Sequence, residues 1–473
     1  MRMRILATLL SLSLPFLWLA CAPSIPEGVG GLEAGDFELI SINGFETADN
    51  AVDMNDYAWS MAYFKPDNAQ TGHVYVGTGN DMIGLMYQGV TAMIGMGELG
   101  DVSARPPEIR RYRPDLGDTH WERVFDYREV ETNPNFETIG FRYLKTYRAQ
   151  ADGINYLYAG TMGRVAAIWR TSTGEPGSWE QVWSSETEGS VRMMAEHKGL
   201  LYLALANEIP GTEQIGKIYA TDGQDIWPII EDSFGNPENT GVMSLISFNN
   251  WLYAGTANKT TGYEIFKLEG PDGQTTPVKI LDHGGPSSVN QSAITVCTYK
   301  NKLYVGNMID PMANIFSGFK AADIIRIDEN DQWETVVGPG SISGFNSGFQ
   351  HWPNTYIWAM TVHEDWLYAS SYDQVSAFFN MLDNTDKLIL ALFNRQAKDA
   401  NIFEILATAG ADLYKTQDGT TWYPVTLTGF GDVGNYGLRT LVSTGDELYA
   451  GTTNPFDGLE IWVGRSDNPS ESE

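Results

Sequence analysis

Three observations predict the fold class. A Tyr-centred phrase recurs seven times, each copy brings four short strands, and the last copy lacks a strand that the N-terminus supplies. Together they predict an all-β chain: a seven-bladed β-propeller of four-stranded blades, its N-terminal strand closing the last blade. The phrase reads Val74-Tyr75-Val76-Gly77-Thr78, Leu157-Tyr158-Ala159-Gly160-Thr161 and Leu201-Tyr202-Leu203-Ala204. It returns around Tyr253, Tyr304, Tyr368 and Tyr449. An apolar strand precedes each phrase, as in Trp59-Ser60-Met61-Ala62 or Leu438-Arg439-Thr440-Leu441. A third follows, as in Glu264-Ile265-Phe266-Lys267, and a fourth often opens on Trp, as in Trp121-Glu122-Arg123-Val124. Strands this short and apolar need neighbours on both faces. Pro228, Pro277 and Pro424 in the fourth strand fit an outer edge, where a missing N–H is tolerated. After Trp462 only a short polar tail remains, whereas Asp36-Phe37-Glu38-Leu39-Ile40 matches the fourth-strand pattern. The propeller is therefore expected over residues 36–464, with a disordered tail at 465–473.

The N-terminus reads as a targeting segment. Met1-Arg2-Met3-Arg4 is positive and Ile5 to Ala20 is apolar, followed by Leu19-Ala20-Cys21. This resembles the lipobox of bacterial lipoproteins, except that Trp18 stands where that family usually has Leu. The resemblance implies a signal peptide at 1–20, lipidation of Cys21, a tether at 21–35 and an exported protein on the cell envelope, periplasmic or extracellular. An ordinary signal peptide cut near Ala20 or Ala22 is the other reading. The one remaining cysteine, Cys297, lies in an apolar run and reads as a small buried hydrophobe. No intrachain disulfide is expected, so packing must carry stability. No other stretch is long and apolar enough to span a bilayer. The membrane is expected as a partner through the lipid anchor only.

Sixty acidic against 30 basic residues give a net charge of −30, which argues against nucleic acid as a partner. Phrases such as Thr416-Gln417-Asp418-Gly419-Thr420-Thr421-Trp422 and Thr221–Trp227 resemble the Asp-box turn of sialidase-type propellers, slightly off its pattern. They read as structural turns. Asn or Asp stands five residues after the Tyr in five copies, at Asn80, Asn207, Asn258, Asp373 and Asn454, and reads as shaping the next turn.

The departures from the repeat carry the functional reading. Arg142, Arg192 and Arg439 hold equivalent places near the start of the first strand, and Trp59 and Trp358 hold the same place in two other units. Pointing to the axis, they would line a central funnel able to grip a carboxylate, a phosphate or a sugar acid. Alternatively the arginines pair with Glu137, Glu188 or Asp432. His351 lies just before the sixth first strand and is a further funnel candidate. Apolar, partly helical insertions span Asp81–Pro107, Met308–Lys320 and Asp373–Thr408, in blades 1, 5 and 6, and form one arc over the same face. They read as a cap, a lid or a docking surface. The six His show no metal-ligand spacing, and no nucleophile, phosphate-loop or zinc motif is present. No metal and no cofactor are expected.

Across residues 36–464 the chain resembles bacterial exported seven-bladed propellers of the kelch or Asp-box kind. That resemblance defines no activity. The expected function is a non-enzymatic envelope protein that binds a protein partner, or a small or glycan ligand, on its insertion-bearing face. The alternative is a glycan- or acid-sugar-active hydrolase or lyase, with the arginines holding a carboxylate.

Overall fold

The computed structural model describes residues 28–45, 55–80, 82, 106–131, 138–185, 187–207, 214–270, 276–310, 314, 320–379 and 409–466. The expected signal peptide, Cys21 and most of the three insertions lie outside these residues.

Among the described residues twenty-eight strands follow the repeat, four to a unit. The first unit holds Tyr57–Phe64, His73–Gly79, Glu108–Tyr112 and Trp121–Asp126. The second holds Thr138–Arg148, Asn155–Gly163, Ala167–Thr171 and Glu180–Ser184. The third holds Ser190–His197, Leu200–Ala206, Lys217–Thr221 and Ile226–Ile230, and the fourth Gly241–Phe248, Trp251–Ala257, Ile265–Leu268 and Val278–Leu281. Units five and six run Ser292–Tyr299, Lys302–Met308, Ile324–Ile327, Trp333–Val337 and Asn354–His363, Trp366–Asp373, Leu413–Thr416, Tyr423–Thr426. The seventh has Gly437–Ser443, Glu447–Thr453 and Ile461–Arg465, and Phe37–Leu39 pairs antiparallel with the last of these.

The expectation of seven separate blades is corrected. Each second strand also pairs with the first strand of the following unit, through Gly79↔Gly140, Met162↔Ser190, Ala206↔Gly241, Ala257↔Ser292, Met308↔Tyr356 and Tyr372↔Gly437. Thr453↔Tyr57 closes the circle. The first and second strands of all units thereby form one closed antiparallel barrel of 14 strands, within a single 28-stranded sheet. Small residues at the junctions allow this backbone approach. A Cβ on Gly140 would stand 2.9 Å from the Cα of Gly79, and one on Gly241 2.7 Å from Ala206 Cβ. The fold is all-β and propeller-like, without discrete blades.

Seven apolar cores fill the seams between successive units, and an eighth joins residues from all of them. The recurrent Tyr explains part of the seam. It crosses to the turn between the third and fourth strands of the next unit. Tyr253 donates to Asp331 Oδ1 at 2.6 Å, and Tyr304 to the Gly419 carbonyl at 3.4 Å. Gly419 sits at φ +76°, where a side chain would lie 2.1 Å from Tyr304 Oη. In the same turn Asp418 Oδ1 accepts from the amides of Thr420 (2.7 Å) and Thr421 (2.6 Å), and Trp422 is buried against Phe349 and Tyr414. The Asp-box-like phrase is therefore a structural turn.

The segment before Phe37 also packs. Leu32 is 1% exposed among Trp366, Tyr368 and Leu438. Its amide donates to Tyr368 Oη at 2.8 Å, and Lys415 Nζ donates to its carbonyl at 2.9 Å. Leu32→Ala is expected to cost about 2–3 kcal/mol in chemical denaturation, the loss of a buried leucine at a seam.

Candidate functional site

In every unit the first strand carries an extra residue against its partner at an equivalent place, and in units two and six Ile139 and Thr355 are skipped as well. The register skips Trp59, Arg142, Arg192, Met243, Ile294, Trp358 and Arg439. These seven β-bulges stand at one level of the ring, and a bulge redirects the side chain it carries. Five of the seven are residues singled out in the sequence. Met243 and Ile294 complete the tier, and the same ten-residue spacing to Tyr253 and Tyr304 could have found them.

The tier is held by cation–aromatic contacts. The Arg142 guanidinium lies 4.5 Å from the Trp59 ring centre, and that of Arg439 5.5 Å from Trp358. Arg142 Nη1 also reaches Met162 Sδ at 3.3 Å. Glycines make room for the indoles: a Cβ on Gly79 or Gly140 would stand 2.1 Å from Trp59, and one on Gly437 1.9 Å from Trp358. Both rings join an apolar cluster with Tyr57, Tyr356, Tyr372 and Tyr436. Tyr57 meets Trp59 at 6.2 Å and Trp358 at 6.1 Å, so one tyrosine links the two arginine–indole pairs. Tyr436 donates to Tyr57 at 2.6 Å, and burial pushes both phenols up. Burial also pushes Tyr143, beside the Arg142 bulge, up to about 12, with the charge of Arg439 opposing. Tyr143 and Arg439 thus approach from units two and seven. Sequence reading missed these tyrosines. The repeated Tyr-x-Trp of Tyr57-Ala58-Trp59 and Tyr356-Ile357-Trp358 was the available signal.

Arg142 and Arg192 are buried, 7% and 8% exposed, and Arg439 is half-buried. Of the acidic residues considered for them, Glu188 pairs with Lys217 and accepts from Ser185 and Thr187. Asp432 accepts from Asn454 at 2.9 Å. Glu137 lies outside the described residues.

His351 belongs to a different group. Its Nδ1 is 3.3 Å from Asp412 Oδ2. Burial opposes its charge, but the hydrogen bond and the charge of Asp412 raise its pKa above the usual histidine value. Asp412 also accepts from Asn354 at 2.7 Å, and Asp373 lies close enough to feel both His351 and Asp412. Of the Asn and Asp residues five after the Tyr, Asn258, Asp373 and Asn454 shape the next turn. Asn258 Oδ1 accepts from the amides of Thr260 and Thr261, and Asn454 Oδ1 from those of Phe456 and Asp457. Cys297 is a thiol that burial pushes up to about 12, consistent with a packing role. A cleft of about 510 Å³ with a mixed lining lies between units five and six, bordered by residues including Val289, Asn290, Lys320, Asp323, Pro339 and Trp352. Among the described residues no three His, Cys, Asp or Glu side chains are grouped to hold a metal ion, and no helix is long and apolar enough to cross a membrane.

The fold and this tier define a propeller-like all-β protein with an arginine- and tryptophan-bearing ring. No family model and no curated protein matches the chain. A solved chain from a structural and mechanistic study of two prolyl endopeptidases is similar over 89% of this chain, at 10% identity and a TM-score of 0.41. This chain spans about half of that one, 52% of its length.

Proposed function

We propose that the chain is a non-enzymatic binding protein of the bacterial cell envelope, anchored by a lipid on Cys21. Its ligand face is the end of the ring that carries the seven bulges and the insertions. The observation that supports this reading is the bulge tier itself. Three of its seven members are arginines, in a chain of net charge −30, and two of them lie on indole faces. An aromatic face orients a guanidinium, whose planar fork suits a carboxylate or phosphate. The occupant proposed is an acidic group on a glycan or small ligand, with the insertions as the surrounding contact surface.

The hydrolase or lyase reading makes a different demand. It needs a proton-transfer group beside the arginines, and His351 has Asp412 as its partner. Turnover assays on acidic glycans and esters separate the two. Binding without turnover is expected; turnover lost on Arg439→Gln would replace the binding reading with the enzymatic one.

A further inference from the structure

A side-chain relay repeats around the ring. An Asn after the second strand donates to an Asn before the first strand: Asn80 to Asn55 Oδ1 at 3.2 Å, Asn258 to Asn239 at 3.1 Å and Asn454 to Asn435 at 3.1 Å. In unit five Asn307 plays this part toward Asn290, at 2.7 Å. The receiving Asn donates onward to an acid opening the third strand. Asn239 donates to Glu264 at 2.7 Å, Asn290 to Asp323 at 2.9 Å and Asn435 to Glu460 at 2.6 Å. The relay ties three strands of a unit together where the ring closes.

Unit six breaks the pattern at one atom. Asn354 donates to Asp412 as its counterparts do, but the donor Asn is replaced by Asp373, at the sequence separation found in units four and seven. Asn354 and Asp373 are each 0% exposed. Asp373 Oδ1 accepts from the Ser376 amide at 2.7 Å, which caps the helix Gln374–Phe379 at the root of the third insertion. Asp373 Oδ2 and Asn354 Oδ1 are both buried acceptors with no hydrogen-bond partner. Leaving two such atoms unmatched in a core is costly. A protonated carboxyl is the change that restores a donor in the place of the missing amide.

We propose that unit six holds a structural proton: Asp373 is a neutral carboxylic acid in the folded protein, its hydroxyl donates to Asn354 Oδ1, and its ionisation unlatches the root of the insertion. The groups facing it are His351 before the first strand, Asp412 on the approach to the third and Tyr372 on its own strand. The helix Gln374–Phe379 contributes no titratable side chain. Burial pushes Asp373 up to about 6, with His351 opposing and Asp412 adding to the rise. The folded chain thus keeps a proton that an unfolded aspartate, near about 3.9, releases. Stability from this site is full below about pH 4, falls as pH rises toward about 6, and is level above.

The test is thermal unfolding of the full chain as a function of pH. Asp373→Asn restores the relay of the other units. It is expected to raise the midpoint by about 2–3 °C at pH 7.5 and by about a third of that at pH 4.5. Asn258→Asp in unit four is expected to do the reverse, lowering the midpoint at pH 7.5 with recovery in acid. Infrared difference spectra should show, at pH 5, a protonated-carboxyl stretch that Asp373→Asn lacks. A gain that is the same at both pH values would overturn the proposal. So would millimolar calcium or magnesium raising the midpoint of the wild type and not of Asp373→Asn, which would assign the orphan oxygens to a metal ion. Should Asp373→Asn fail to fold, an Asn258→Asp midpoint that falls equally at both pH values would equally sink it.

Discussion

Gly140→Leu is expected to destabilise the protein by more than about 4 kcal/mol, or to prevent folding, as read by denaturant titration. Overpacking a core ordinarily costs about 1–3 kcal/mol because neighbouring side chains give way. Here little can give. A Cβ at Gly140 meets the Trp59 ring at 2.1 Å and the backbone of Gly79 at 2.9 Å. That backbone is the junction partner through which units one and two close the ring. The substitution must expel a buried tryptophan or open the barrel, and losses above about 4 kcal/mol, exceptional for single substitutions, come from damage of this kind. Gly153→Leu is the contrasting case. Gly153 has φ +75° and open space around its Cβ position, so it meets backbone strain alone and should lose far less.

The second large effect is expected at Trp358. Its indole meets Tyr372 at 5.1 Å, Tyr356 at 5.5 Å and Tyr57 at 6.1 Å, and fills the space that Gly437 leaves open. Truncating a buried aromatic of this size costs about 3–5 kcal/mol. Arg439 would lose its aromatic face as well, a further ~0.5–2 kcal/mol. Trp358→Ala should therefore fall below Trp358→Phe by more than the difference in ring area alone. A cycle with Arg439→Gln measures the coupling; additive losses would show that the guanidinium and the indole do not support one another.

The strand inventory was legible because each unit repeats its own period, and the Tyr phrase fixes the spacing. Trp59, Arg142, Arg192, Trp358 and Arg439 could be aligned for that reason, and they share one bulged tier. Phe37–Leu39 could be placed beside Ile461–Arg465 because the last unit lacked a fourth strand. The joining of units was not legible. It rests on single residue pairs such as Gly79↔Gly140 and Tyr372↔Gly437, and in a sequence those glycines are indistinguishable from turn residues. The relay was only half visible. Asn80, Asn258, Asp373 and Asn454 read as turn formers, which Asn258, Asp373 and Asn454 are. Their second role depends on Asn239, Asn354 and Asn435, which recur fourteen residues before the Tyr of their units, a spacing that does not by itself name a side-chain partner. His351 was grouped with the arginines from its place before the first strand, whereas its ring turns to Asp412 from the third.

The arginines of the bulge tier are proposed to form a binding surface for an acidic group. Calorimetric titration with an oligouronate, on wild type and on an Arg142→Gln, Arg192→Gln, Arg439→Gln triple variant, tests it most directly. Saturable binding by the wild type, weakened at least about tenfold in the folded triple variant, is the predicted result. Indistinguishable titrations of the two proteins would contradict it.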